Sequence, residues 1–311
     1  MSTILTTFFI KCFKFLKQVI AEFKGDNVLK YSASLAYYTI LSLAPLLVII
    51  IYLSGLLFGK EAMSGEVYTA LQDIVGADAA IEIQNAIKNI HLSANNFLST
   101  TLGAIVLLVS ATGIFGEMQD SLNKIWGLKL KKKKAWWKVL MDRLVSFSLI
   151  LSLGFALIVS LALTALITAL STYISRVLPI FEGSILFLLD NLLSLLITTL
   201  LFGTIFKVLP DAKIKWKEVI FGALVTAILF TLGKYGIGYY LGKSKIATIY
   251  GAAGSIMIVM LWVYYSAAIL YLGAVFTKVY AASYGRRIYP NDFAVWIKVE
   301  EVPVGSVQLK E

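Results

Sequence analysis

The chain has 311 residues, of which 59% are hydrophobic and 15% charged, with a net charge of +10. Soluble globular domains carry about 25% charged residues, so an ordinary soluble fold is excluded. A single cysteine, Cys12, and a single histidine, His91, exclude an intrachain disulfide and almost all histidine-based metal or catalytic chemistry.

Residues 1–32 open the chain. Lys11, Lys14, Lys17 and Lys24 interrupt what would be the apolar core of a secretory signal. Phe8, Cys12, Phe15, Leu16, Val19, Ile20 and Phe23 recur at helical spacing, with the lysines largely off that stripe. The pattern predicts a basic amphipathic helix in the headgroup plane, favouring anionic lipid. A plain extension of the first span is the alternative.

Six apolar stretches follow, at about 33–58, 97–117, 142–174, 184–207, 218–241 and 251–281. Each is long enough to cross a hydrocarbon core roughly 30 Å thick at 1.5 Å per residue. The expected fold is an all-α membrane protein: a six-helix transmembrane domain over 33–282 and a polar tail over 283–311.

In the first span, Ser34, Tyr38, Ser42, Pro45 and Tyr52 share one helical face. Pro45 frees a backbone carbonyl one turn earlier, which a neighbour must satisfy. Such a helix either lines a cavity or packs inside a bundle through its hydroxyl groups. Residues 59–96 carry two apolar stripes, Val67 to Ile74 and Ile83 to Ile90, and predict two short helices on the outer rim. The end of the second span gathers Glu117, Gln119, Asp120 and Asn123. Glu117 and Asp120 fall on one face of a continuing helix. They are candidates for cation or proton binding, or for salt-bridging to Lys124 or Arg143.

Residues 129–138 form a basic patch, in which Lys131, Lys132, Lys133, Lys134, Trp136 and Trp137 are candidate contacts to anionic lipid. Each lysine near such a surface contributes about 1 kcal/mol, and tryptophan suits the interface. The third span is charge-free over 144–175, roughly 48 Å of helix, and must tilt or extend past the bilayer.

Asp190 and Lys234 are charges inside spans four and five, and charges there are expensive. Counted from the short connection 208–217, they lie at nearly the same depth. The expectation is that they face each other or share a polar cavity, with Asn191 alongside; snorkelling of Lys234 to the headgroups is the alternative. Gly222, Gly233, Gly236, Gly238 and Gly242 stripe span five, and Gly238 and Gly242 form a G-x-x-x-G. The tail after Tyr284 reads as an ordinary extension. The chain contains no G-x-x-x-x-G-K-[ST], so direct use of ATP is not expected.

Segments 1–32, 118–143, 207–217 and 278–311 hold 22 of the 28 Lys and Arg, and the opposite side holds five. The positive-inside rule places both termini in the cytoplasm.

The stretch from Ser34 to Pro45, the stretch from Gly113 to Gly127, and the run from Leu209-Pro-Asp-Ala-Lys through Gly242 to Leu261-Trp-Val-Tyr-Tyr resemble the YihY/BrkB family of bacterial inner-membrane proteins. The resemblance covers about 25–285. It implies six spans with both ends inside and a link to serum resistance and to lipid or lipopolysaccharide handling in the envelope. That family was long labelled ribonuclease BN. The residues here argue against such chemistry, because a nuclease needs clustered carboxylates or histidines holding metal near a phosphate.

The expected function is a transporter or lipid-translocating protein of the inner membrane. A non-transporting scaffold for envelope assembly is the alternative. No enzymatic activity and no cofactor are expected. Membrane lipids of the anionic inner leaflet are the expected partners, and nucleic acid is not.

Overall fold

A computed structural model describes residues 2–42, 113–131, 184–243, 253–285 and 287–297. The third span, the predicted rim helices over 59–96, Pro45, Lys132, Lys133, Lys134, Trp136 and Trp137 lie outside the described residues.

Six helices are described. Helix α1 covers Ser2–Gly25 and α2 covers residues 28–42. Asp26 and Asn27 separate them, with Asn27 at φ 54°, a left-handed conformation that asparagine tolerates. Helix α3 covers residues 113–125 and stops at Gly127, whose φ of 69° suits a residue without a Cβ. Strand β1 (Leu128–Leu130) follows directly. Helix α4 (Ser184–Val208) ends before Pro210, and β2 (Ala212–Lys213) leads into α5 (Trp216–Lys243). Glu218 in the first turn of α5 suits the positive end of the helix dipole. Helix α6 (Ala253–Tyr284) precedes β3 (Tyr289–Pro290) and β4 (Ala294–Trp296).

Helices α4, α5 and α6 each contain a window long and apolar enough to cross a membrane: Asn191–Val208, Trp216–Ile237 and Ile256–Tyr284. Less than a third of each window is buried. Helix α5 packs between α4 and α6.

The strands gather at one end of these helices. β1 runs antiparallel to β4, pairing Leu128 with Trp296, and β2 runs antiparallel to β3, pairing Ala212 with Pro290. Ile297 N–H to Gly127 O (2.9 Å) and Lys131 N–H to Phe293 O (3.0 Å) extend the first ladder. The tail is therefore not a plain extension, and the fold is not purely helical. Strands of two or three residues carry no readable alternation, and their partners lie far away in sequence.

Helix α5 meets α6 through a reciprocal contact. A Cβ on Gly222 would overlap Thr277 Oγ1, and a Cβ on Gly273 would overlap Thr226 Oγ1. Each threonine donates to the carbonyl four residues back, Thr226 to Gly222 O and Thr277 to Gly273 O, both at 2.7 Å. The hydroxyls are thus satisfied by their own helices while the Oγ1–Cβ edge of each threonine fills the facing glycine notch. Ala223, Ala227, Ala274 and Ala281 are fully buried. Lipid tails are as apolar as leucine, so close backbone approach through small residues is what holds such helices together. The sequence points to Gly238 and Gly242 for this role; their surroundings lie outside the described residues. Gly222→Ala and Gly273→Ala are each expected to lower stability in detergent by about 1–3 kcal/mol, the usual effect of overpacking. Gly236 has open space around it, and Gly236→Ala should be neutral or stabilising. Equal unfolding midpoints for all three variants would refute the clasp.

Candidate functional site

The four segments grouped by their cation excess meet at the strand-bearing end. Their fastening centres on Asp211, in the turn after Pro210, where only 2% of the residue is exposed. Asp211 Oδ2 accepts from Asn123 Nδ2 (3.0 Å) and Gln119 Nε2 (3.1 Å). Asp211 N–H donates to Asn123 Oδ1 (2.8 Å), and its carbonyl accepts from Asn291 N–H (2.9 Å). One residue thereby joins α3, the α4–α5 connection and the tail. Trp126, just past α3, donates its indole N–H to Ala274 O of α6 (3.1 Å).

A second polar knot ties α1 to α6. Lys278 Nζ lies 2.7 Å from Glu22 Oε2 and 2.9 Å from Asp26 Oδ2. Burial pushes the Asp26 carboxyl above the usual carboxylate range, with the Lys278 hydrogen bond opposing it. Phe15 reinforces the docking, edge-on to Phe276 at 5.1 Å. The apolar stripe of α1 is therefore divided. Val19 is buried and Phe15 and Phe23 pack on the core, while Phe9, Ile10, Phe13, Leu16 and Ile20 remain exposed beside the lysines. Farther out, Lys213 Nζ meets Asp292 Oδ1 at 2.8 Å on the open surface and holds that carboxyl below its ordinary range.

The residues singled out in the sequence fall in several places. Asn123 is buried on Asp211, Asp120 is exposed, and Glu117 is half-buried, accepting from Ser121 Oγ at 3.4 Å. The three thus have different surroundings. No group of three or more His, Cys, Asp or Glu that could hold a metal occurs among the described residues. Ser42 is buried and donates to Thr39 O (2.8 Å), Ser34 is half-buried, and the ring of Tyr38 lies over Gly113 at the start of α3. Asn191 is half-buried on α4. Lys234 is exposed, with Nζ 5.4 Å from the centre of the Tyr235 ring. The side chain of Asp190 lies outside the described residues, and with it the expected Asp190–Lys234 pair. Lys131 Nζ donates to Asp292 O (2.7 Å).

Sequence reasoning missed Asp211, Lys278, Glu22 and Asp26. The available signals were an acid beside Pro210 and an isolated cation near the end of the last span.

The family model described as Virulence factor BrkB matches residues 19–292. The chain belongs to the BrkB family. Its relatives include a UPF0761 membrane protein of Chromobacterium violaceum, 25% identical over 270 residues, covering 86% of this chain and 61% of that protein. Another, from Tolumonas auensis, is 27% identical over 264 residues, covering 81% and 80%. A third, from Stenotrophomonas maltophilia, is 26% identical over 266 residues, covering 84% and 59%. The chain thus spans about three fifths of the length of the first and third of these relatives. No solved structure matches. With the apolar helices described above, this BrkB-family chain is a membrane protein.

Asp211→Leu leaves the Asn123 and Gln119 amides without their shared acceptor. The expected loss is about 2–4 kcal/mol, read as a lower unfolding midpoint in detergent. Asp211→Asn, which keeps one acceptor oxygen, should lose less; equal midpoints for wild type and Asp211→Leu would refute the fastening. For Asp26 the folded pKa is raised, so its contribution favours the folded state below the ordinary aspartate pKa and is lost as pH rises through the raised value. Asp26→Asn should therefore flatten the fall of the midpoint with rising pH in that window, and an unchanged slope would show that Asp26 does not set it.

Proposed function

We propose that this chain is a six-span protein of the bacterial inner membrane, with both termini cytoplasmic, that moves a lipid or similar amphiphile during envelope biogenesis. The strand-bearing end is then the cytoplasmic one. Its cation excess and the exposed apolar side of α1 beside Lys14 and Lys17 support contact with an anionic leaflet.

One observation carries the transport reading. Ser266 Oγ and Tyr271 Oη are buried on α6 without a hydrogen-bond partner. Tyr271 Oη sits beside Ser121 but makes no hydrogen bond of normal geometry with it. Orphaned hydroxyls inside an apolar bundle cost several kcal/mol each. Water reaching these two positions of α6 would give them partners, and such polar openings give a headgroup contacts while its acyl chains stay in the bilayer. Ser34, Tyr38 and Ser42 on α2, together with Asp190, Asn191 and Lys234, are the further residues proposed to line that path.

The scaffold reading draws on a different observation, the rigid fastening of α1, α3, the α4–α5 connection and the tail at one end. Proteoliposomes with a dithionite-quenched fluorescent phospholipid separate the two. Wild type should expose inner-leaflet lipid faster than empty vesicles. Ser266→Ala with Tyr271→Phe should return the rate to that of empty vesicles with the unfolding midpoint unchanged or raised, because replacing an unsatisfied hydroxyl by an apolar group of the same shape does not weaken a fold. Asp190→Asn with Lys234→Met should likewise abolish the rate in a folded protein. Wild-type vesicles no faster than empty ones would favour the scaffold.

A further inference from the structure

A cavity of about 210 Å³ lies between the end of α6 and β4, lined by Trp126, Lys278, Ala282, Arg287, Ile288 and Trp296. It is smaller than the roughly 300–1,000 Å³ of a site that encloses a drug-sized ligand. It has room for a headgroup and leaves long acyl chains outside. Both indole N–H groups are already engaged, Trp126 with Ala274 O and Trp296 with Ile288 O (3.2 Å), so the two rings offer apolar surface. Lys278 is held by Glu22 and Asp26 and contributes mainly its alkyl stem. Arg287 is exposed and makes no ion pair among the described residues. It is the cation the cavity can offer, in the planar form that fits a phosphate through two parallel hydrogen bonds.

We propose that this cavity seats the headgroup of an anionic phospholipid, with Arg287 on the phosphate and Trp126 and Trp296 against the glycerol. The carboxylates of Glu22 and Asp26 sit on Lys278, and Glu218 packs against Gly285, two residues before Arg287. With Lys278 engaged by Glu22 and Asp26, Arg287 supplies a single positive charge, which matches a headgroup with one net negative charge better than a zwitterion or a doubly charged phosphate monoester. The acyl chains leave along apolar surface already exposed nearby, where Phe15 of α1 packs on Phe276 and Tyr284 and where Leu16 and Ile20 stay uncovered. Tyr289, its ring tilted against Trp296 at 5.3 Å, and exposed Phe293 continue an aromatic rim of the type that anchors at headgroup level. The seat requires only that the chain lie in a membrane containing anionic lipid; it does not depend on lipid movement.

Native mass spectrometry of the full chain, released from detergent and titrated with phosphatidylglycerol or phosphatidylethanolamine, tests the seat. Wild type should retain phosphatidylglycerol in preference to phosphatidylethanolamine. Arg287→Gln should weaken that retention about fivefold, the factor for one surface cation on an anionic lipid. Ala282→Trp, which fills the cavity without changing charge, should weaken it at least as much, with the lipid-free unfolding midpoint of both variants unchanged. Wild-type retention in both variants would overturn the proposal. Displacement of the lipid by millimolar inorganic phosphate or glycerol phosphate would overturn the lipid source and assign the cavity to a soluble phosphate ester. A seat that is lost in the variants while proteoliposomes show no lipid movement would leave this inference standing and remove the transport reading alone.

Discussion

The arrangement at the strand-bearing end depends on one buried carboxylate. Asp211 is nearly inaccessible, and a buried charge is tolerated only with good partners. Its side-chain donors come from α3, 88 positions earlier for Asn123, and its carbonyl binds the tail through Asn291. Meeting those demands fixes how α3 is rotated, which directs Trp126 to α6 and aims the chain past Gly127 into β1. The β1–β4 and β2–β3 pairs then form on segments already brought together. The small sheets are better seen as consequences of this polar knot than as its cause, since strands of two and three residues have little stability of their own.

Away from that end the controlling physics changes. Inside a bilayer, hydrophobic burial does not pull helices together, and α5 and α6 are held by shape instead. The Gly222–Thr277 and Gly273–Thr226 notches let the backbones approach, while each threonine hydroxyl is silenced by its own helix. Helix α1 obeys both regimes. One side docks on α6 through Lys278 and Phe276, and the other keeps an apolar surface next to lysines, as a helix resting on lipid requires.

These two regimes frame the functional reading. The described parts of four cation-rich segments are fastened together at this end. Ser266 and Tyr271 depart from this pattern: among the described residues the other buried hydroxyls are bonded, as in Ser32 to Val28 O and Thr226 to Gly222 O, whereas these two are not. Buried hydroxyls without partners are where function is sought. Membership of the BrkB family agrees with a membrane protein.

The sequence by itself determined that this chain lives in lipid, since apolar runs of spanning length and a charge content of 15% have no other good solvent. Its cation excess also grouped four segments whose described parts meet at one end of the helices, because such an excess is a sum over loops and needs no contacts. The order of motifs along the chain was enough to point to the family. Tertiary structure alone decided that Asn123 serves Asp211, because hydrogen-bond partners 88 residues apart leave no periodic trace. It alone revealed that the tail is a pair of strands, that the stripe of α1 is split between protein and exposed surface, and that Gly222 rather than its neighbours meets a threonine. Hydropathy and spacing report the solvent and the helical period, whereas which face meets which neighbour is set by contacts that close only when distant segments are folded together.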